Sequence, residues 1–347
     1  MQFLDIDGSQ GEGGGQILRT ALTFSVIKGR PVRVSKVRAG RKEPGLRRQH
    51  VSALKILADI FDGELTGAVE GSSQVTFSPG RARLKSLSID MGTAASITLV
   101  LQAVVPAASL FGSSVTLDLR GGTDVPWSPT FDYFATVVRG AYAAIGMEFE
   151  ARAQRRGYYP RGGGRVTASV RPSEGVRPLD LITQPMAHDV RVWSRCGMLP
   201  SHVAERQMAA AASALEAEGY RPSETNVTSD EADSPGSSVL VSSLASGEFL
   251  GSDSLGKKGV PAEEVGRGAA ESLVAAIRSG ATLDSNLADM ILPLLSLADV
   301  PSRAKVPEVT PHLETSLAIA KQFTSCSYRR AQGDRCWLVE VTPAHSH

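Results

Sequence analysis

The chain has 347 residues, 42% of them hydrophobic and 21% charged, with a formal net charge of +1. This length suits two domains or one domain with a large insertion, and the balanced charge excludes a uniformly basic nucleic-acid binder, so any basic surface is a local patch. Three cysteines, Cys196, Cys326 and Cys336, form no CxxC, which argues against a disulfide framework or zinc site and for a reducing compartment. The first residues read as a strand containing Asp5 and Asp7 rather than a signal peptide, and no apolar run reaches the roughly 18 residues of a membrane span. A soluble, cytoplasmic protein without a membrane partner is expected.

After that strand comes GSQGEGGGQILR (8–19), a glycine-dense loop ahead of an apolar helical pattern. It has the composition of a phosphate cradle but lacks the Lys-Ser/Thr that closes a P-loop. The spacing in QILRTALTFSVI (16–27) predicts a helix, followed by strand VRVSKV (32–37), the segment RAGRKEPG (38–45), helix LRRQHVSALKILADIF (46–61) and two strand-like runs, ELTGAV (64–69) and SQVTFSP (73–79). The same order returns after SIDMG (88–92): helix 93–110, strand VTLDLR (115–120), segment GGTDVPWSP (121–129), helix 130–146, strands 147–153 and 164–172. Gly29 and Gly112 occupy equivalent turns about 80 residues apart, above the period of solenoids. A third copy is read from near Leu283: helix 285–297, strand 304–309, segment TPHLE (310–314), helix 315–323 and strands 325–331 and 335–343.

Between the second and third copies lie roughly 100 extra residues, the size of an inserted domain. They have their own pattern of strand 189–196, helix 202–219, strands 237–244 and 248–252 and helix 261–280, with TSDEADSPGSS (228–238) read as an acidic loop. The expected fold is α/β (α+β): three repeated βαβαββ-like units forming a large domain, residues 1–182 and 281–347, with a smaller α/β domain inserted at 183–280.

The junction between the middle strand and second helix falls at a comparable place in each unit, where helix N-termini welcome anions. The first unit supplies Arg38, Arg41, Arg47 and Arg48 there, with Gln49 and His50 following and Arg19 on the preceding helix. Arginine forks match phosphate oxygens; the alternative is a solvated basic face. The third unit supplies His312 at a helix start, where a further positive charge is disfavoured and an imidazole nitrogen can act as a nucleophile; a lone histidine in such a place is more often a surface or capping residue. His188 and His202 belong to the insertion, and His345 and His347 to a tail. RRGYYPRGGGRV (155–166) carries a second glycine cluster, either a close backbone approach or a structural hairpin. The Gly256-Lys257-Lys258-Gly259 turn does not meet the P-loop pattern.

Taken together, DGSQGEGGGQILR (7–19), RAGRKEPGLRRQH (38–50), TLVLQAVVP (98–106), GGTDVPWSP (121–129) and RGYYPRGGG (156–164) resemble the RNA 3′-terminal phosphate cyclases over nearly the whole chain. The resemblance implies an inserted domain of thioredoxin-like topology. It also implies a reaction in which ATP activates an RNA 3′-phosphate: His312 becomes adenylylated, AMP passes to the RNA, and the 2′-hydroxyl closes a 2′,3′-cyclic phosphate. Carried over by position, Gln102, Pro129, Asn286, Leu287, Ala288, Asp289 and Met290 are expected at the ATP site. Arg19, Arg38, Arg41, Gln49 and His50 are expected near the RNA phosphate, and Glu12 near a divalent metal, Mg2+ or Mn2+. The partners implied are RNA with a 3′-phosphate end and ATP, with a homodimer left open.

This chain departs from the family pattern at three places. Asn286 stands where an aromatic residue or histidine is common, Met290 replaces a glutamine and cannot make its hydrogen bonds, and Ser316 replaces an asparagine. The competing reading is a non-adenylating, cyclase-like RNA-processing or ribosome-biogenesis protein, a group that lacks the nucleophilic histidine. A weaker one is an enolpyruvyl transferase built on the same repeats, against which the RGYYPRGGG signature and the single insertion argue.

Overall fold

The computed structural model describes residues 2–11, 14–80 and 85–344, with only the backbone of Gln49 and Lys85. In the first unit β1 (Leu4–Asp7), α1 (Gly15–Lys28), β2 (Val32–Ser35), α2 (Arg48–Ile60), β3 (Glu64–Thr66) and β4 (Val75–Ser78) form a sheet in the order β1-β2-β4-β3. The second unit holds β5 (Lys85–Asp90), α3 (Ile97–Leu110), β6 (Val115–Gly121), the short α4 (Phe131–Tyr133), a π-helical turn (Phe134–Val138), α5 (Arg139–Ala144), β7 (Phe149–Arg155) and β8 (Gly164–Val170). Its sheet runs β5-β6-β8-β7. The third unit opens with the two-residue β9 (Asp180–Leu181).

The chain then leaves to build the insertion: β10 (Val190–Gly197), α6 (His202–Ala217), β11 (Glu224–Asp230), β12 (Gly236–Ser243), β13 (Leu250–Leu255) and α7 (Ala262–Ser279), in sheet order β11-β10-β12-β13. It returns through α8 (Ser285–Ile291), a 3-10 turn (Leu294–Leu297), β14 (Ser302–Val306), α9 (Pro311–Thr324), β15 (Ser327–Gln332) and β16 (Trp337–Thr342). The third sheet reads β9-β14-β16-β15. In all three units the first two strands are parallel and the other pairings antiparallel, so one topology occurs three times.

Local chemistry sets the helix bounds. α1 ends at Gly29, whose left-handed backbone (φ 60°) lets its N–H reach the carbonyls of Ser25 and Val26. The Ser96 hydroxyl accepts from Leu99 N at 3.2 Å, so α3 starts at Ile97 and not at Thr93 as the apolar spacing suggests. Thr310 caps α9 and Pro311 takes its first position, which moves that helix start ahead of Thr315. Pro293 divides the expected helix 285–297 into α8 and the 3-10 turn. The third unit begins at β9, not near Leu283, because β9 pairs in parallel with β14. β11 occupies what reads as loop in Thr228–Asp230: its polar residues form an edge strand against β10.

One hydrophobic core runs through the three units, with α1 between α3 and α9: Phe24 stacks on Phe323 at 5.8 Å, and Thr23 Oγ1 donates to the Ala103 carbonyl. The insertion has a second cluster between its sheet and α6 and α7. A buried charge network fastens the insertion to the second unit. Arg156 reaches Asp124 at 3.2 Å and Asp132 at 2.6 Å, Arg195 reaches Asp132 at 2.6 Å and Asp230 at 3.3 Å, and Arg156 lies over the Phe131 ring. Among the described residues no helix is long and apolar enough to cross a membrane.

Candidate active site

The first turn of α9 carries His312 at its second position, half-buried, beside backbone N–H groups that have no partner within the helix. This turn is tied to two other elements. Thr310 caps the helix by accepting from Leu313 N and donates its own proton to Asp289 Oδ1 on α8 at 2.6 Å. From α1, Gln16 Nε2 donates to the His312 carbonyl at 3.3 Å and to Ser316 Oγ at 2.6 Å. The glycine loop also presses on this turn: a Cβ on Gly11, whose φ is +55°, would run into Thr315 Oγ1. His312 is thereby positioned by α1, α8 and the loop together.

On the other side of α1 lies a cationic corner. The 38–45 loop is clamped from within, because Arg38 (φ 55°) donates to the carbonyls of Glu43 and Gly45 at 3.1 and 3.0 Å. Burial lowers the Arg38 pKa, and the neighbouring Arg47 and Arg41 lower it further. Arg47 pairs with Glu43, and its backbone N–H donates to His50 Nδ1 at 3.1 Å. That bond assigns the His50 proton to Nε2, which faces Gly15: a Cβ there would lie 2.6 Å from Nε2. Burial pulls the His50 pKa down to about 4, helped by the charges of Arg19, Arg38 and Arg47. Burial also brings Arg19 down to about 10, and its Nε has no hydrogen-bond partner among the described residues. Cations that destabilise one another around a neutral donor make a place where an anion relieves the strain. Arg41 is exposed on the rim of this loop.

The two regions meet at Arg19. Arg19 lines a narrow crevice with Gln16, Gln102, Asp289 and Met290, and also a larger cavity with His50. Of the residues expected at the ATP site, Gln102, Asp289 and Met290 are therefore brought together. Asn286 is exposed on α8, whereas Leu287 and Ala288 are buried in the core, where their side chains pack rather than face a ligand. Pro129 is half-buried, and its carbonyl accepts from Thr98 Oγ1 at 2.8 Å. Glu12 and the Gln49 side chain lie outside the described residues.

Among the described residues no group of three His, Cys, Asp or Glu side chains is placed to hold a metal. Among the described residues lining the crevice, Asp289 is the only carboxylate. Gln16 and Thr310 were not singled out by sequence reasoning, and Ser316 was named only as a departure from the family pattern. The Thr-Pro pair ahead of His312, a helix-start signal, was the available clue to Thr310.

Comparison with known proteins places these features in a family. The pattern of the RNA 3′-terminal phosphate cyclases matches residues 10–329. The RNA 3′-terminal phosphate cyclase of Methanopyrus kandleri is 43% identical over 352 residues, covering 99% of both chains. Those of Caldivirga maquilingensis (40% identity, 98% of both chains) and Pyrococcus furiosus (43% identity, 92% of both chains) are similar over nearly as much.

Proposed function

We propose, from the premise that the chain belongs to the RNA 3′-terminal phosphate cyclase family, that it converts an RNA 3′-phosphate to a 2′,3′-cyclic phosphate at the expense of ATP, in the cytoplasm, with His312 as the nucleophile. An imidazole nitrogen of His312 attacks the α-phosphorus of ATP; a P–N bond forms, the α–β P–O bond breaks and diphosphate leaves. An oxygen of the RNA 3′-phosphate then attacks the same phosphorus and displaces the histidine, giving an RNA(3′)pp(5′)A end. The vicinal 2′-hydroxyl finally attacks the RNA phosphorus, loses its proton and expels AMP. Dividing one condensation into three displacements is the use of a covalent nucleophile.

The observation that carries this reading is the position of Arg19, which lines both the crevice holding Gln102 and Asp289 and the cavity holding His50. An ATP phosphate at the mouth of the first and an RNA phosphate at the second share one arginine, close to the α9 turn that Gln16 and Asp289 hold. Arg19, Arg38, Arg41, Gln49 and His50 bind the RNA phosphate in this proposal, and Gln102, Pro129, Asn286, Asp289 and Met290 bind ATP. A divalent ion, Mg2+ or Mn2+, would neutralise the triphosphate when bound, with Glu12 proposed as its carboxylate. The next residue back, Gly11, packs against the α9 turn, which supports that assignment.

The test is incubation of the protein with α-labelled ATP and a divalent ion, without RNA. A protein–AMP adduct labile to acid and stable to base is expected, and none with His312→Ala. An adduct retained by the variant excludes His312 as the nucleophile.

A further inference from the structure

A cavity of about 500 Å3 opens between the first and second units, a volume in the range of small-molecule sites. Its walls are apolar, with Leu18, Leu54 and Leu57 on one side and Leu99 and Val100 on the other. Arg19 and His50 stand in its lining, and Arg19 also lines the crevice beside α8. Trp127 and Tyr159 complete the lining from two further loops, and both are turned to solvent, 97% and 67% exposed. Trp127 also has a left-handed backbone, φ 69°, which a bulky side chain rarely adopts. A tryptophan held out of the core on a strained backbone, beside an apolar cavity, is placed to meet a ligand.

We propose that this cavity receives the 3′-terminal nucleobase of the RNA, with its 3′-phosphate at Arg19 and His50, and that Trp127 and Tyr159 stack on the base preceding it. The inference rests on the cyclase reading of the previous section and extends it to how the strand is gripped. The chemistry selects the occupant. A nucleobase offers two flat apolar faces to leucine and valine walls, and Arg19 Nε, without a partner among the described residues, offers a donor to an anion attached to that same nucleotide. Aromatic rings at a solvent-facing mouth suit a strand continuing outward, since every base has a face to stack. Walls built mainly of hydrocarbon read shape rather than base identity, so all four terminal bases are accepted with similar KM.

The experiment compares short RNA 3′-phosphates that are intact, that lack the terminal base, or that lack the penultimate base, each keeping its sugars and phosphates. For the wild type, removing either base raises KM for RNA by about tenfold, with the rate at saturation kept. Trp127→Ala and Tyr159→Ala raise KM for intact RNA about fivefold or more, and in these variants loss of the penultimate base costs little further. Equal KM for the intact RNA and the form lacking its terminal base overturns the cavity assignment. A penalty for losing the penultimate base that persists undiminished in both variants overturns the stacking assignment. Either result, obtained with an enzyme that still cyclises RNA, leaves the cyclase reading standing, whereas a wild type that cyclises no RNA 3′-phosphate removes both.

Discussion

His50 is kept neutral by a crowd of cations and by burial, and this has a cost that pH reveals. Its pKa falls from 6.5 to about 4 on folding. Between those values the unfolded chain binds a proton that the folded chain refuses, so this residue makes stability rise with pH. The contribution is complete above pH 6.5 and is lost as pH falls through about 4. His50→Gln removes the titration while keeping a neutral donor. Its urea midpoint is expected to climb less steeply than that of the wild type between about pH 4 and 6.5; parallel profiles would exclude the assignment. Nothing in the sequence around position 50 shows that its ring is uncharged. Arg19 and Gly15 reach it from α1, which is distant in the chain, and the Nδ1 bond depends on the backbone of Arg47. The cationic corner was legible as an arginine run; the neutral donor at its centre was not.

At the scale of elements, α8 shows how a helix start can join three parts of a fold. Its cap, Asp284, accepts from Leu287 N at 2.9 Å, from the Tyr133 hydroxyl of α4 at 2.8 Å and from Gly251 N of β13 at 2.9 Å. Burial raises its pKa to about 7 against these three bonds. The folded chain therefore retains a proton that the unfolded chain releases above 3.8, and stability from this group falls as pH rises toward 7, opposite in sign to His50. Asp284→Asn places an amide donor among three donors. It is expected to lower stability at neutral pH by about 1–3 kcal/mol, read from denaturant unfolding. A midpoint equal to that of the wild type would show that the bonds contribute nothing net.

The order of elements in each unit was legible, since helical periodicity, glycine turns and alternating strands lie within short windows. Elements that depend on a partner were not. β11, with the sequence Glu-Thr-Asn-Val-Thr-Ser-Asp, has little hydrophobic signal because it is an edge strand ordered by β10. β9 has two residues and exists through its pairing with β14, across 123 positions of chain. The cavity was illegible for the same reason, as its lining comes from α1, α2, α3 with the turn before it, and two loops, none of which looks like a pocket alone.

At the scale of the whole molecule, the insertion and the second unit share the network of Arg156, Arg195, Asp124, Asp132 and Asp230. Arg156 is 4% exposed, so its charge is compensated by carboxylates rather than water. Replacing it by methionine roughly keeps the volume but leaves Asp124 buried without its cation and Asp132 with Arg195 alone. A loss of about 3–5 kcal/mol is expected. Calorimetry should show a lower melting temperature and a separation of the insertion's unfolding from that of the large core. A single transition at the wild-type temperature would mean that the joint is held by packing alone.

The interruption of the third unit after β9 also governs when this protein becomes active as it is made. A ribosome delivers the chain in order, and the first two sheets can close as soon as their strands emerge. The third has to wait, with Asp180 and Leu181 already present, until the whole insertion has passed and β14 arrives. A pre-folded insertion shortens that wait in space by bringing its own ends together, which lessens the entropy of closing so long a loop. His312 follows later still. The cationic corner around Arg19 and His50 is thus assembled well before His312, so that under the proposed function a nascent chain engages an RNA end before it can act on one.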